Sequence, residues 1–202
     1  MINLAKPLER SGRIYTYEDY LQWPEDERWE IIDGVAFDMT PAPTSNHQLV
    51  LGELLTIFNQ YLKGKPCVAL VAPFDVRLPR AAESDKKATT VVQPDLTVIC
   101  DKSKIDRRGC LGSPDLIVEI SSPSTFHKDI KTKFKRYEEA RVKEYWIVHA
   151  EGKTIVVYRL LDTGSYAQPE IFGVEDELSV GIFPDLVISL KDLFSVVDDD
   201  LI

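Results

Sequence analysis

The sequence has few of the residues that build disulfide frameworks and zinc sites. Among 202 residues there are three cysteines and three histidines. Cys67, Cys100 and Cys110 are odd in number and show no CxxC spacing, while His47, His127 and His149 stand far apart. This argues against a disulfide framework and against structural zinc. Long apolar runs are missing too. The first residues, MINLAKPLERSGR, hold no apolar core of a signal peptide, and no stretch approaches the roughly 18 uninterrupted apolar residues of a membrane span. A soluble, cytoplasmic protein with no membrane association is the expectation. Positive charge is also scarce, with 24 Lys and Arg against 33 Asp and Glu and a net charge of −9. That balance argues against a generally basic surface for nucleic acid.

The scarcity is uneven. Residues 101–143 carry eleven Lys and Arg against seven Asp and Glu, a local +4 that leaves −13 for the rest. A solvated helix face and a phosphate-facing surface both explain such a window. The length suits one domain with a substantial core: a short extension over 1–14, a domain over 15–195 and an acidic tail over 196–202.

Thr16 followed by Asp19 marks a helix start. Asp33-Gly34 between two apolar runs predicts a hairpin. Ser45 or Asn46 can cap a helix reaching about Lys63, with Val50, Leu54, Ile57, Phe58 and Tyr61 along one side. Short strands follow in CVALVA, FDVRLP, VVQPDLTVIC and DLIVEISS, with RAAESDKKATT read as an exposed loop. A helix over roughly 127–141 leads to the strands EYWIVHA and TIVVYRLL, then to shorter pieces and a final LKDLF turn. The order predicts a mixed α/β or α+β sheet with helices on its faces.

One residue breaks the pattern. In DLIVEISSP the apolar run Leu116, Ile117, Val118, Ile120 reads as a strand covered on both faces, and Glu119 sits inside it. Taking an ionised carboxylate out of water costs on the order of several kcal/mol unless a cation, a metal or hydrogen-bond donors replace the solvent. Asp115 is about 13 Å away along the same strand at roughly 3.3 Å per residue, too far to share an ion with Glu119. Asp95, in the Pro94-Asp95 pair before another strand, can come beside Glu119 if the two strands are neighbours about 4.8 Å apart. Asp95 and Glu119 are therefore the candidate metal-holding pair.

A lysine would suit position 121, which shares the side of Glu119, but the residue there is Ser121. On the following helix Ile130, Phe134 and Tyr137 define a buried face, and Lys133 lies at its edge, whereas Lys128, Lys131 and Lys135 point away. Lys133 is the lysine best placed to turn inward. Plainer readings stand beside these: Asp95 as a turn residue, Lys133 paired with Asp129 on the surface, and Glu119 in a buried salt bridge to an arginine.

Pro94-Asp95, E-x-S at 119–121, SPST, D-x-x-x-K at 129–133, Tyr137 and V-x-EYWIV at 142–148 together resemble the Uma-type restriction endonuclease family of the PD-(D/E)XK nuclease-like superfamily. WEIIDG at 29–34 and the P-x-P stretch ending at His47 share the resemblance, which covers about residues 15–195. It implies a restriction-endonuclease-like fold with a central mixed sheet, Mg²⁺ or Mn²⁺ held by Asp95 and Glu119, and Lys133 in place of the usual lysine two residues after the second acid. Asp95, Glu119 and Lys133 would then hydrolyse a phosphodiester of DNA, the metal activating water and the ammonium stabilising transition-state charge. Glu30 could add a supporting or metal-facing carboxylate, or be an ordinary strand-edge acid. His47 reads as a cap-region or structural histidine rather than a base, and Gln93 as a residue that orients the site. A homodimer would suit a nuclease that cuts both strands.

Two other functions compete. One is a catalytically inactive module of the same fold that binds nucleic acid or a protein, which Ser121 and the acidic balance favour. The other treats the acids and lysine as a structural ion-pair network in a homodimer.

Overall fold

The computed structural model describes residues 13–24, 26–39, 42–121 and 129–197. The expected elements His127, Lys128 and SPST, together with all but the first two residues of the acidic tail, lie outside these residues, as do the side chains of Asp129 and Ile130.

Local chemistry sets the first elements. Helix α1 (Tyr17–Tyr20) starts at Thr16, whose N–H donates to the Asp19 carboxylate at 2.9 Å in a capping box. Strands β1 (Trp29–Ile32) and β2 (Val35–Asp38) turn at Asp33 and Gly34, with φ of 51° and 79°. Two successive positive φ values are the two-residue hairpin conformation that Asp-Gly favours. Helix α2 (Ser45–Leu62) is capped by Thr44 rather than by Ser45 or Asn46. Thr44 is the last extended residue, and its hydroxyl accepts the His47 N–H at 3.2 Å.

The strands that follow are β3 (Val68–Val71), β4 (Val76–Arg77), β5 (Val91–Val92), β6 (Leu96–Ile99), β7 (Ile105–Asp106), β8 (Gly109–Leu111) and β9 (Leu116–Ile120). A π-helical turn (Asp129–Lys133) runs into α3 (Phe134–Glu139), and then come β10 (Glu144–His149), β11 (Thr154–Arg159), β12 (Glu170–Phe172), β13 (Glu177–Ser179), β14 (Val187–Ser189) and α4 (Leu190–Leu193). The segment read as a plain loop contains a 3₁₀ turn at Asp85–Lys87. Its Asp85 carboxylate receives the fully buried Arg77 guanidinium at 2.7 and 2.9 Å, which draws the segment inward.

The strands divide between two six-stranded mixed sheets and a small hairpin. The first sheet has the order β2-β1-β5-β4-β8-β7 and the second β12-β11-β10-β9-β6-β3, while β13 pairs with β14. In the second sheet β9 and β10 are parallel, joined by the crossover that contains α3, and β6 is antiparallel to β9. Alternation along these strands builds two cores. Leu96, Val98, Leu116, Val118, Trp146 and Val148 pack with α2 and the β13–β14 hairpin. Ile99, Ile117, Tyr145 and Ile147 pack with Ile32, Val76 and Val92 of the first sheet and with Tyr137 of α3. Helix α3 thus bridges the two sheets, and Arg136 anchors it. Its Nε donates to Thr90 Oγ1 at 3.1 Å and its Nη2 to the Leu78 carbonyl at 3.1 Å.

One expectation is corrected here. Cys67 and Cys100 form a disulfide, although the cysteine count argued against a framework. Val68 pairs with Ile99 across β3 and β6, so antiparallel register sets the two cysteines opposite each other just beyond that pair. Cys110 is free and buried. Among the described residues no helix is long and apolar enough to cross a membrane.

Candidate active site

The site grows from the β6–β9 register. Leu96 lies opposite Val118 in an antiparallel pair, so Asp95, just before β6, comes beside Glu119. Asp95 Oδ2 accepts the Ile120 N–H at 2.7 Å, which fixes the carboxylate against the neighbouring strand. Its Oδ1 lies 3.2 Å from His47 Nε2, at the start of α2. The other ring nitrogen of His47 is buried and has no hydrogen-bond partner among the described residues. His47 therefore serves the capping turn through its N–H and meets Asp95 through its ring.

Glu119 is 5% exposed, and its compensation comes from α3 and the turn before it. Lys133 Nζ lies 2.9 Å from Glu119 Oε1, and the Tyr137 hydroxyl donates to the same oxygen at 2.6 Å. The spacing of four residues puts both groups on one helical face. Burial, aided by the negative charge of Glu119 and Glu30, holds the Tyr137 phenol well above the ordinary tyrosine range, so it remains a donor. Lys131 and Lys135 are exposed, as the helical face predicts.

Lys133 has a second carboxylate. Its Nζ lies 2.8 Å from Glu30 Oε1 in β1 of the other sheet. Glu30 is completely buried, which overturns its reading as an ordinary strand-edge acid. The same Glu30 oxygen accepts the Gln93 N–H at 3.1 Å. The Gln93 side chain is held at both ends. Its Oε1 accepts from Arg28 Nε and Nη2 at 3.1 and 3.0 Å, and its Nε2 donates to Asp75 Oδ1 at 2.9 Å and reaches the Tyr20 hydroxyl at 3.1 Å. Burial pushes the Asp75 carboxyl above its ordinary range.

Asp95, Glu119, Lys133, Glu30, His47 and Gln93 are thus brought together. Ser121 is buried on the continuation of β9, where its N–H donates to the Val148 carbonyl at 2.8 Å. Asp115 is elsewhere, accepting from the Cys100 N–H and from Lys143, both through its carboxylate. Sequence reasoning used Tyr137 as a core residue and as part of the family resemblance, without giving it a role at the site. Its distance of four from Lys133 was the signal that both would meet the same acid. Arg28, Tyr20 and Asp75 carried no such signal, because only the strand pairing of the first sheet gathers them around Gln93.

Chemically, the cluster is a lysine clamped between two buried carboxylates, with a third carboxylate alongside at the start of β6 in the second sheet. Asp95 and Glu119 offer hard oxygen donors of the kind Mg²⁺ and Mn²⁺ prefer. Among the described residues no three His, Cys, Asp or Glu side chains form a closed metal cage. An ion of this class keeps several waters and needs only one or two carboxylates, so the donor set fits it.

Comparisons with known proteins bear on this arrangement. A family model described as "Uma2: Putative restriction endonuclease" matches residues 17–191. An uncharacterized protein of Synechocystis sp. is 29% identical over 157 residues, covering 74% of this chain and 76% of that protein. A crystal structure described as a putative nuclease belonging to DUF820 from Anabaena variabilis superposes with a TM-score of 0.72 at 22% identity, covering 91% of this chain and 99% of the other. That likeness shows the fold, which is of the restriction-endonuclease-like kind.

Proposed function

The chain belongs to the Uma2 family of putative restriction endonucleases, and from that premise we propose that it is a metal-dependent DNA endonuclease. The observation that carries the reading is Lys133, 3% exposed and held between Glu119 and Glu30 beside Asp95. In this reading Asp95 and Glu119 hold Mg²⁺ or Mn²⁺. When bound, the ion supplies Lewis acidity toward a phosphodiester and a water of lowered pKa.

The chain's own residues do the rest. Lys133 presents a buried ammonium to charge that develops on the phosphorane-like transition state. Tyr137 holds Glu119 by the oxygen that Lys133 also uses, which fixes the direction of the carboxylate. Glu30 keeps the Lys133 ammonium in place, and Gln93 fixes Glu30 through its backbone N–H. His47 positions Asp95. Cutting both strands of a duplex needs two such centres, and a homodimer would provide them.

The test is a calorimetric titration of Mn²⁺ into the protein and into its Asp95→Asn variant, followed by plasmid cleavage with Lys133→Ala. Saturable binding that disappears in the variant, with cleavage lost in Lys133→Ala, is the expected result. Cleavage retained by a folded Asp95→Ala variant would refute the assignment. Ser121, where a superfamily lysine would stand, favours a second reading: a nuclease-like module that binds DNA or a protein without chemistry. It predicts salt-dependent DNA binding without divalent metal and no product when metal is added.

A further inference from the structure

The net charge of −9 leaves open where an acidic protein would grip a polyanion. The β7–β8 hairpin turns through Asp106-Arg107-Arg108-Gly109, with Ile105 opposite Cys110 and Asp106 opposite Gly109. Both arginines are exposed, and neither forms an ion pair among the described residues. The one acid of the turn is engaged by its neighbours. Asp106 Oδ2 accepts from the buried Arg77 Nη2 at 2.6 Å, and Oδ1 accepts the Arg108 N–H at 2.7 Å. Asp106 is thereby held to Arg77 and to the turn backbone while its carboxylate stays half exposed and feels the charge of Arg108, and the two arginine side chains reach outward without a direct ion pair among the described residues.

The turn is pinned, and it lies at the end of the first sheet that carries the cluster. The Cys110 N–H donates to the Asp75 carbonyl at 2.8 Å. A Cβ on Gly109, at φ +128°, would stand 2.1 Å from that same oxygen, so only glycine fits. Val76 pairs with Cys110 on one side and Val92 on the other, and Ile31 pairs with Val91. Gly109, Asp75, Gln93 and Trp29 therefore form one row across the sheet. At about 4.8 Å per strand the turn is about 10 Å from Gln93 and about 14 Å from β1. Asp75, the acid between, is half-buried, and desolvation raises its carboxyl above the ordinary range.

We propose that the Arg107–Arg108 turn is a clamp for the phosphate backbone of DNA. With about 3.4 Å of helix axis per nucleotide of one strand, it meets the backbone about three to four nucleotides from the acid–lysine cluster. The inference rests on the nuclease reading above. Phosphate contacts of this kind set register and orientation and carry no base preference, so the turn holds the scissile strand against the cluster whatever its sequence.

The experiment is fluorescence anisotropy of a labelled duplex without divalent metal, over a salt series, for the wild-type protein and Arg107→Ala/Arg108→Ala. Loss of two phosphate contacts lowers the slope of log K against log salt by about 1.8. Between about 50 and 200 mM salt the fall in affinity then shrinks roughly twelvefold relative to wild type. Arg107→Lys/Arg108→Lys restores the slope, since a point cation suffices for this contact. Lys63→Ala/Lys65→Ala, at the far end of α2 from His47, leaves it unchanged. An unchanged slope in the double alanine variant, with wild-type binding intact, overturns the clamp alone. Absence of binding by the wild-type protein overturns the DNA reading and the clamp with it.

Discussion

Replacing Lys133 by Met gives the sharpest test of how the cluster is held together. Lys133 is 3% exposed and lies within 2.9 Å of carboxylates on two sheets, Glu30 at 0% and Glu119 at 5% exposure. Met fills much of the same volume and brings no charge, so two buried acids lose their common cation. Breaking a buried pair in this way costs about 3–5 kcal/mol, because the charge left behind is uncompensated. For a chain of this size about 2–4 °C of Tm accompany each kcal/mol, so Tm should fall by about 6–20 °C. Urea unfolding followed through the buried Trp146 measures the same loss at 25 °C, and the protein should stay folded without denaturant. Glu30→Gln and Glu119→Gln added to Lys133→Met remove the stranded charges and should return more than half of the loss, since neutral replacement of a whole buried ion cluster is often close to neutral in stability. A cost below about 1 kcal/mol for Lys133→Met would refute the buried-charge account. An equal cost in the triple variant would assign the effect to packing instead.

Tyr137→Phe removes one donor from a buried oxygen of Glu119, and should cost about 1–3 kcal/mol in urea unfolding; a change within about 0.5 kcal/mol would mean that Lys133 alone satisfies that oxygen. Burial pushes the Cys110 thiol up to about 11, so at neutral pH native protein should resist iodoacetamide at this cysteine and react once unfolded, as mass spectrometry of the labelled peptide will read; rapid native labelling would contradict the burial. Asp75 binds its proton more tightly folded than unfolded, so its contribution is intact below the ordinary Asp value near about 4 and is lost as pH rises through the raised one. Asp75→Asn, which keeps an acceptor for Gln93 and Tyr20, should therefore gain stability relative to wild type as pH rises from acid to neutral, and a difference that is flat with pH would be the wrong result.

Much of this was legible because it follows from short-range rules. The unbroken apolar run of DLIVEI, read as a strand covered on both faces, placed Glu119 inside, and strand spacing chose Asp95 over Asp115 as its neighbour. The helical face chose Lys133 over Lys131 and Lys135, although Lys133 closes a π-helical turn that breaks the simple period. What stayed hidden depends on pairings between distant segments. Cys67 and Cys100 meet only through the β3–β6 register. Glu30 reaches Lys133 only because the first sheet packs on α3, and Gln93 gains Arg28, Tyr20 and Asp75 from three separate segments. The cap at Thr44 was missed by one residue, where three consecutive polar residues all have capping side chains and only the backbone decides which is last to be extended.

Lys133 joins acids made at very different times. During synthesis Glu30 and then Asp95 leave the ribosome well before Lys133, and the β1 strand must wait for α3 before its carboxylate has a counter-charge. A nascent chain therefore holds the two acids without the ammonium that would complete the cluster. The cluster is therefore completed only when α3 closes on β1, and whatever chemistry it does begins with the finished fold.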